Sequence, residues 1–145
     1  MEHVTKQIDV AAPLDKTFAF VADQPERATA FIPGLNRIEA VTPAEAAPGQ
    51  TWTYEFNWFG LVVAGHSRCV ELERPRRYSF ETESPASTWA YGFEAHGGGT
   101  RVTLTVDFEV PHNQVARFAA AGALEKMNEE RAAEALANLK QLLEE

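Results

Sequence analysis

Between residues 37 and 110 the chain is cut into short strand-like segments by turns too short to hold a helix. Alternating apolar and polar residues predict six strands, at 37–42, 51–58, 62–73, 77–83, 88–95 and 100–110. The breaks between them contain Pro48-Gly49, Gly60, Pro75, Pro85 and Gly97-Gly98-Gly99. A parallel pair needs a crossover of a dozen or more residues, and the last four breaks are shorter than that. The segments therefore predict a sheet built from antiparallel hairpins.

The segments on either side of these six add one strand and three helices. Residues 4–10 alternate like a strand, and Pro13 suits the first turn of the helix that follows. A second short helix is expected at about 26–31. The last segment, about 113–144, contains no proline, and its second half has an inward stripe at helical spacing: Asn128, Ala132, Ala135, Leu136, Leu139, Leu142 and Leu143. Its first half points elsewhere, so we expect a bend or break near Gly122.

Composition bounds the class of protein. The 145 residues fit a single domain spanning 1–145. Thirteen basic and twenty-one acidic residues give a net charge of −8, which argues against a nucleic-acid binder. No apolar run approaches the ~18 residues of a membrane span, so no integral membrane protein is expected. A single cysteine, Cys69, and the lack of a signal peptide at the start of the chain favour the cytoplasm.

The strands collect aromatic residues on one face. With loops at 84–87 and 96–99, Thr82 is expected opposite Trp89, and Tyr91 opposite both Phe80 and Leu104. The residues that claim this inner face are Trp52, Tyr54, Phe56, Trp58, Tyr78, Phe80, Trp89, Tyr91, Phe93 and Phe108. One alanine-rich helix is left to cover them. Because ligand sites are apolar concavities with few polar groups, the pattern predicts an internal cavity.

The fourth strand carries two polar residues in its apolar set. His66 and Arg68 occupy even positions, like Val62 and Leu72, whereas Cys69 falls on the odd, outward set. A three-residue loop before this strand would place Arg68 on the inner face. A buried charge costs several kcal/mol unless it is paired or hydrated. For His66, a satisfied structural role is the stronger interpretation, ahead of acid–base catalysis.

Three interpretations of Arg68 remain open. It awaits the carboxylate, carbonyl or phenolate of an apolar ligand. Alternatively it pairs with Glu125 or Glu129 of the last helix, or stacks on Trp52 or Trp89. In the third interpretation a bulge turns it outward.

Several stretches together resemble a known family. They are Ala12-Pro13 with Phe18 and Val21-Ala22-Asp23, Phe31-Ile32-Pro33-Gly34, the run from Arg68 to Pro75, Gly99-Thr100-Arg101-Val102-Thr103, and Leu136 to Lys140 with Glu144. Their order and spacing over nearly the whole chain resemble the START-like (helix-grip, SRPBCC) superfamily, in its polyketide cyclase/dehydrase and lipid-transport branch. The resemblance implies an α+β helix-grip fold. In that fold a seven-stranded curved antiparallel sheet wraps around a long C-terminal helix, with two short helices between strands one and two.

The resemblance also implies a hydrophobic cavity between sheet and helix, but no single chemistry. We expect the chain to bind a hydrophobic small molecule that is aromatic, polyketide-like, or prenyl- or lipid-like. The candidate ligand-binding residues are Arg68, His66, Trp52, Tyr54, Phe56, Phe80, Trp89, Tyr91 and Leu104. No motif for a metal or a cofactor is present, and none is expected. The alternatives are a polyketide cyclase or dehydratase, in which Arg68 stabilises an enolate, and a regulatory module with a protein partner.

Overall fold

The computed structural model describes residues 2–58, 60–83, 86–109 and 121–145. Two short helices separate the first two strands: helix α1 is Leu14–Ala22, and a 3₁₀ helix follows at Pro25–Ala30. The strands are β1 (Glu2–Val10), β2 (Leu35–Thr42), β3 (Thr51–Trp58), β4 (Leu61–Glu73), β5 (Arg77–Glu83), β6 (Ala86–His96) and β7 (Gly99–Phe108). Helix α2, Ala121–Glu144, ends the fold. Residues 113–120, the first part of the predicted last helix, lie outside the described residues, and Gly122 is the second residue of α2.

The seven strands form one antiparallel sheet in the order β1-β7-β6-β5-β4-β3-β2. Consecutive strands from β2 to β7 are neighbours, as expected when short turns connect them. Strand β1 joins the sheet at the free edge of β7. The predicted antiparallel sheet with a C-terminal helix and two short helices after the first strand is confirmed.

The register of the later hairpins is partly as predicted. Tyr91 lies opposite Leu104 across β6 and β7, as expected. Across β5 and β6, however, Thr82 pairs with Ser87 and Phe80 pairs with Trp89. The prediction was wrong by two residues because the strands pair up to Glu83 and Ala86, which leaves two residues between them and not four. A shift of two residues leaves every side chain on the same face of the sheet, so the predicted aromatic inner face is unchanged.

Strand β4 differs from the prediction in a way that moves side chains across the sheet. Trp58 pairs with Leu61, so two residues and not three separate β3 from β4. Ser67 therefore lies opposite Trp52, and the odd positions of β4 face inward. A bulge between Cys69 and Glu71 then shifts the register once more. Cys69 is buried in the core, contrary to the prediction that it faces outward.

Helix α2 covers the inner face of the sheet with the predicted stripe. Ala132, Ala135, Leu136, Leu139 and Leu143 are all buried. The end of the helix is fixed to the end of β1: Lys140 Nζ donates to the Asp9 carbonyl at 2.9 Å, and the Ala11 amide donates to Glu144 Oε2 at 2.8 Å. The N-terminal half of α2 therefore extends toward the opposite end of the sheet. No helix within the described part of the chain is long and apolar enough to cross a membrane.

Candidate functional site

A cavity lies between the inner face of the sheet, the 3₁₀ helix and α2. Its volume is about 90 Å³, several times what one buried water occupies. Strands β2 to β7 supply its floor, α1 and the segment 25–35 supply one wall, and Asn128, Arg131 and Ala132 of α2 supply the roof. The predicted internal cavity is therefore present in the described part of the molecule.

Aromatic rings from several strands line the cavity. The rings that line it are Phe31, Trp52, Tyr54, Phe56, Tyr78, Phe80, Trp89, Tyr91 and Phe108. Phe80 and Trp89 stack with their planes 9° apart and their centroids 6.0 Å apart. Trp52 and Phe80 make an edge contact, with their centroids 5.5 Å apart and their planes at 63°. Phe56, Phe80 and Trp89 are only partly buried although they lie on the inner face, since they border the cavity and not solid packing.

A row of hydroxyl groups crosses this aromatic surface. Ser67 pairs with Thr82 across β4 and β5, and Thr82 pairs with Ser87 across β5 and β6. The side chains of Thr82 and Ser87 hydrogen-bond to each other. All three residues line the cavity. Ser87 in turn lies opposite Phe108 on β7. The hydroxyl row therefore lies toward the end of the sheet that faces the N-terminal half of α2.

Arg131 brings a positive charge to the cavity. Its guanidinium carbon lies 5.2 Å from the centroid of Phe56, so the cation rests on an aromatic face. Burial lowers the pKa of Arg131, and the exposed carboxylate of Glu134 opposes that shift. An arginine keeps its proton in proteins, so the group is a cation there. Asn128, one turn earlier on α2, lines the same part of the cavity.

Two tyrosines at the other end of the cavity are neutral. Burial raises the pKa of Tyr78, and the nearby Cys69 and Tyr91 raise it further. Burial alone raises the pKa of Tyr91. Both phenols therefore keep their protons over the physiological range and offer a ligand an O–H donor or acceptor and an aromatic face.

Arg68 and His66 lie on the outer face of the sheet, and the prediction that they face the cavity is wrong. Arg68 Nη2 donates to Glu81 Oε1 at 2.8 Å, and both side chains are exposed. His66 Nδ1 lies 2.8 Å from Glu83 Oε1. The hydrogen bonds from the ring and the backbone of His66 lower the pKa of Glu83. The outward orientation of Arg68, the third interpretation above, is the one that the structure shows.

The remaining predicted site residues divide into two groups. Six line the cavity: Trp52, Tyr54, Phe56, Phe80, Trp89 and Tyr91. Leu104 is completely buried beneath them, packs in the core and does not border the cavity.

The sequence analysis missed the polar residues of the cavity. Ser67 belongs to the odd positions of β4, a set that was predicted to face outward because the register of β4 was wrong. Arg131 was overlooked although the sequence carries a signal for it: it lies three residues after Asn128 and four before Ala135, and both were placed on the inward stripe. Among the described residues, no group of three His, Cys, Asp or Glu side chains is placed to hold a metal ion.

Comparison with known proteins agrees with this architecture. A family profile described as polyketide cyclase / dehydrase and lipid transport matches residues 1–144. No curated protein matches the sequence. Several solved structures do match, among them the following three.

The protein TTHA0849 from Thermus thermophilus has a TM-score of 0.79 at 17% identity, covering 97% of this chain and 95% of its own. A START superfamily protein from Mycobacterium smegmatis has a TM-score of 0.79 at 13% identity, covering 98% and 97%. The Zhui aromatase/cyclase from a Streptomyces species has a TM-score of 0.77 at 18% identity, covering 99% and 93%. At these identities the likeness shows a shared fold, the START-like helix-grip fold that the sequence predicted. With the profile match over nearly its whole length, the chain belongs to the polyketide cyclase/dehydrase and lipid transport family.

Proposed function

We propose that the protein binds a hydrophobic small molecule in the cavity between the sheet and α2. The observation that carries the proposal is the set of partly buried rings around the cavity, with Phe80 stacked on Trp89 and Phe56 beneath Arg131. Natural cores pack as densely as organic crystals, so stacked rings that border empty space are an exception to close packing. A ligand that filled this space would remove the remaining exposed apolar surface from water. The family profile and the helix-grip fold support this proposal.

The experiment is a titration with N-phenyl-1-naphthylamine, a neutral aromatic probe that fluoresces in apolar surroundings. Ala28 of the 3₁₀ helix lines the cavity, and Ala28→Trp would place an indole there. Ala30 lies on the same short helix with an exposed side chain, so Ala30→Trp is the matched control. We expect the wild type and Ala30→Trp to bind the probe, and Ala28→Trp to lose at least tenfold in affinity. Equal binding by Ala28→Trp and the wild type, with both folded by circular dichroism, would refute binding in the cavity.

A further inference from the structure

We propose that the ligand is a planar aromatic monoanion whose carboxylate is held by Arg131. This inference rests on the proposed function, because it specifies which hydrophobic molecule the same cavity takes. It depends on where the polar groups lie within the cavity and on the one formal charge that they carry.

The hydroxyl row, Asn128 and the charge of Arg131 lie toward one end of the cavity. The C-terminal end of α2 is fixed beside Asp9 and Ala11, at the end of β1. Val10 pairs with Thr100 at the start of β7, so Phe108 marks the opposite end of that strand. The hydroxyl row of Ser67, Thr82 and Ser87 aligns with Phe108, and the N-terminal half of α2 brings Asn128 and Arg131 to the same end. The formal charge is therefore at one end of the cavity, and the neutral rings of Tyr78 and Tyr91 are at the other.

The charge at this end selects the sign of the ligand. Arg131 is the only charged residue among the described residues that line the cavity. Glu134, whose carboxylate acts on Arg131, has an exposed side chain outside that lining. Charges interact far more strongly in apolar surroundings than in water. A guanidinium has five N–H donors in a planar fork, so it can bind a carboxylate through two parallel bonds and keep contacts within the protein.

The rings at the other end select the shape of the ligand. Tyr78 stacks on Tyr91 with an interplanar angle of 25°, next to the stack of Phe80 on Trp89. A planar ring system can contact these rings by offset stacking or by edge contacts, the two arrangements that aromatic rings prefer. A cavity of about 90 Å³ favours a compact body over a long chain.

The test compares two probes of the same shape, naphthalene-2-carboxylate and naphthalene-2-carboxamide, by displacement of N-phenyl-1-naphthylamine. A charge-assisted pair exceeds a neutral hydrogen bond by enough to give about a tenfold to hundredfold preference for the carboxylate in the wild type. Arg131→Gln removes the charge and should abolish the preference for the carboxylate over the carboxamide. Arg131→Lys keeps the charge and should keep part of the preference.

Arg27 provides the matched control. Its guanidinium carbon lies 5.2 Å from the centroid of Phe20, the same distance as for Arg131 and Phe56, but it does not line the cavity. Arg27→Gln should leave the preference for the carboxylate unchanged.

Three results would overturn the inference. Equal binding of the two naphthalene probes by the wild type would show that the cavity does not select an anion. A preference that survives Arg131→Gln would place the carboxylate elsewhere. Decanoate binding as tightly as the naphthalene carboxylate would refute the aromatic body. In each case displacement of the neutral probe still reports binding in the cavity, whereas a wild type that binds no probe refutes the proposed function itself.

Discussion

Replacing Gly65 by alanine should destabilise the protein by forcing Tyr54 away from the sheet. Gly65 lies on β4 directly opposite Tyr54 on β3. A Cβ at residue 65 would lie 2.8 Å from Tyr54 Oη, 3.1 Å from Cζ and 3.3 Å from Cε2. Ordinary contacts between carbon atoms lie at about 3.5–4.0 Å. The end of the ring must therefore move by several tenths of an ångström.

The cost follows from how tightly Tyr54 is held. Only 8% of the surface of Tyr54 is exposed, so the space into which its ring can move is the cavity. Overpacking a well-packed site costs about 1–3 kcal/mol. Against this, any Gly→Ala change at a compatible position gains about 0.4–1 kcal/mol by restricting the unfolded chain. The displaced ring would also narrow the cavity, so the affinity for N-phenyl-1-naphthylamine should fall.

Gly92→Ala is the matched control, because it restricts the unfolded chain in the same way as Gly65→Ala. Comparing the two variants removes that contribution to stability. Gly92 lies within β6, and a Cβ there would have no heavy atom within 4 Å. Urea unfolding, followed by circular dichroism, should show Gly65→Ala less stable than Gly92→Ala by about 1–3 kcal/mol. In a Tyr54→Ala background the difference between the two glycine variants should vanish. Equal stability of the two single variants would refute the described contact between Gly65 and the ring.

Three further outcomes are expected. Leu139→Ala, at a fully buried position of α2, should cost about 2–5 kcal/mol in urea unfolding; a loss below about 1 kcal/mol would contradict the packing of α2 on the sheet. Lys140 and the Ala11 amide lower the pKa of Glu144 below 4.5. The stability from that carboxylate is therefore present above about pH 4.5 and lost as the pH falls through the lowered pKa, so the melting temperature of Glu144→Gln should fall less steeply with acid than that of the wild type; parallel curves would contradict this. Arg68→Ala should leave the affinity for both naphthalene probes unchanged, because its ion pair with Glu81 lies on the outer face. A tenfold loss of affinity would show that Arg68 contributes to the binding site.

The parts of the fold that follow from local patterns could be predicted from the sequence. Short turns force antiparallel pairing, so the strand order from β2 to β7 followed from the breaks at proline and glycine. The stripe ending in Leu139 and Leu143 identified the buried face of α2 because helical spacing determines which side chains share a face. Tyr91 was placed correctly opposite Leu104, since the glycine run that ends at Gly99 defines the loop between β6 and β7.

The polar part of the site depended on two features that the pattern did not determine. A two-residue turn and a three-residue loop after Trp58 differ by one residue, and one residue reverses the face of every side chain in β4. The bulge after Cys69 returns Leu72 to the inner face, where the prediction had placed it. The apolar pattern at the end of the strand therefore did not reveal that the register at its start was wrong. Arg131 was missed because it lies at the border of the buried stripe of α2, where helical spacing does not determine whether a long polar side chain turns inward.

The proposed binding site for an apolar molecule lies between the sheet and α2. Intermolecular nuclear Overhauser effects from bound N-phenyl-1-naphthylamine test this most directly. We expect contacts from the probe protons to the methyl groups of Val21, Ile38 and Val106, which line the cavity. The contrasting surface is the exposed apolar pair Leu61 and Val62 at the start of β4. Contacts confined to Leu61 and Val62, with none to the cavity methyl groups, would contradict binding of the probe between the sheet and α2.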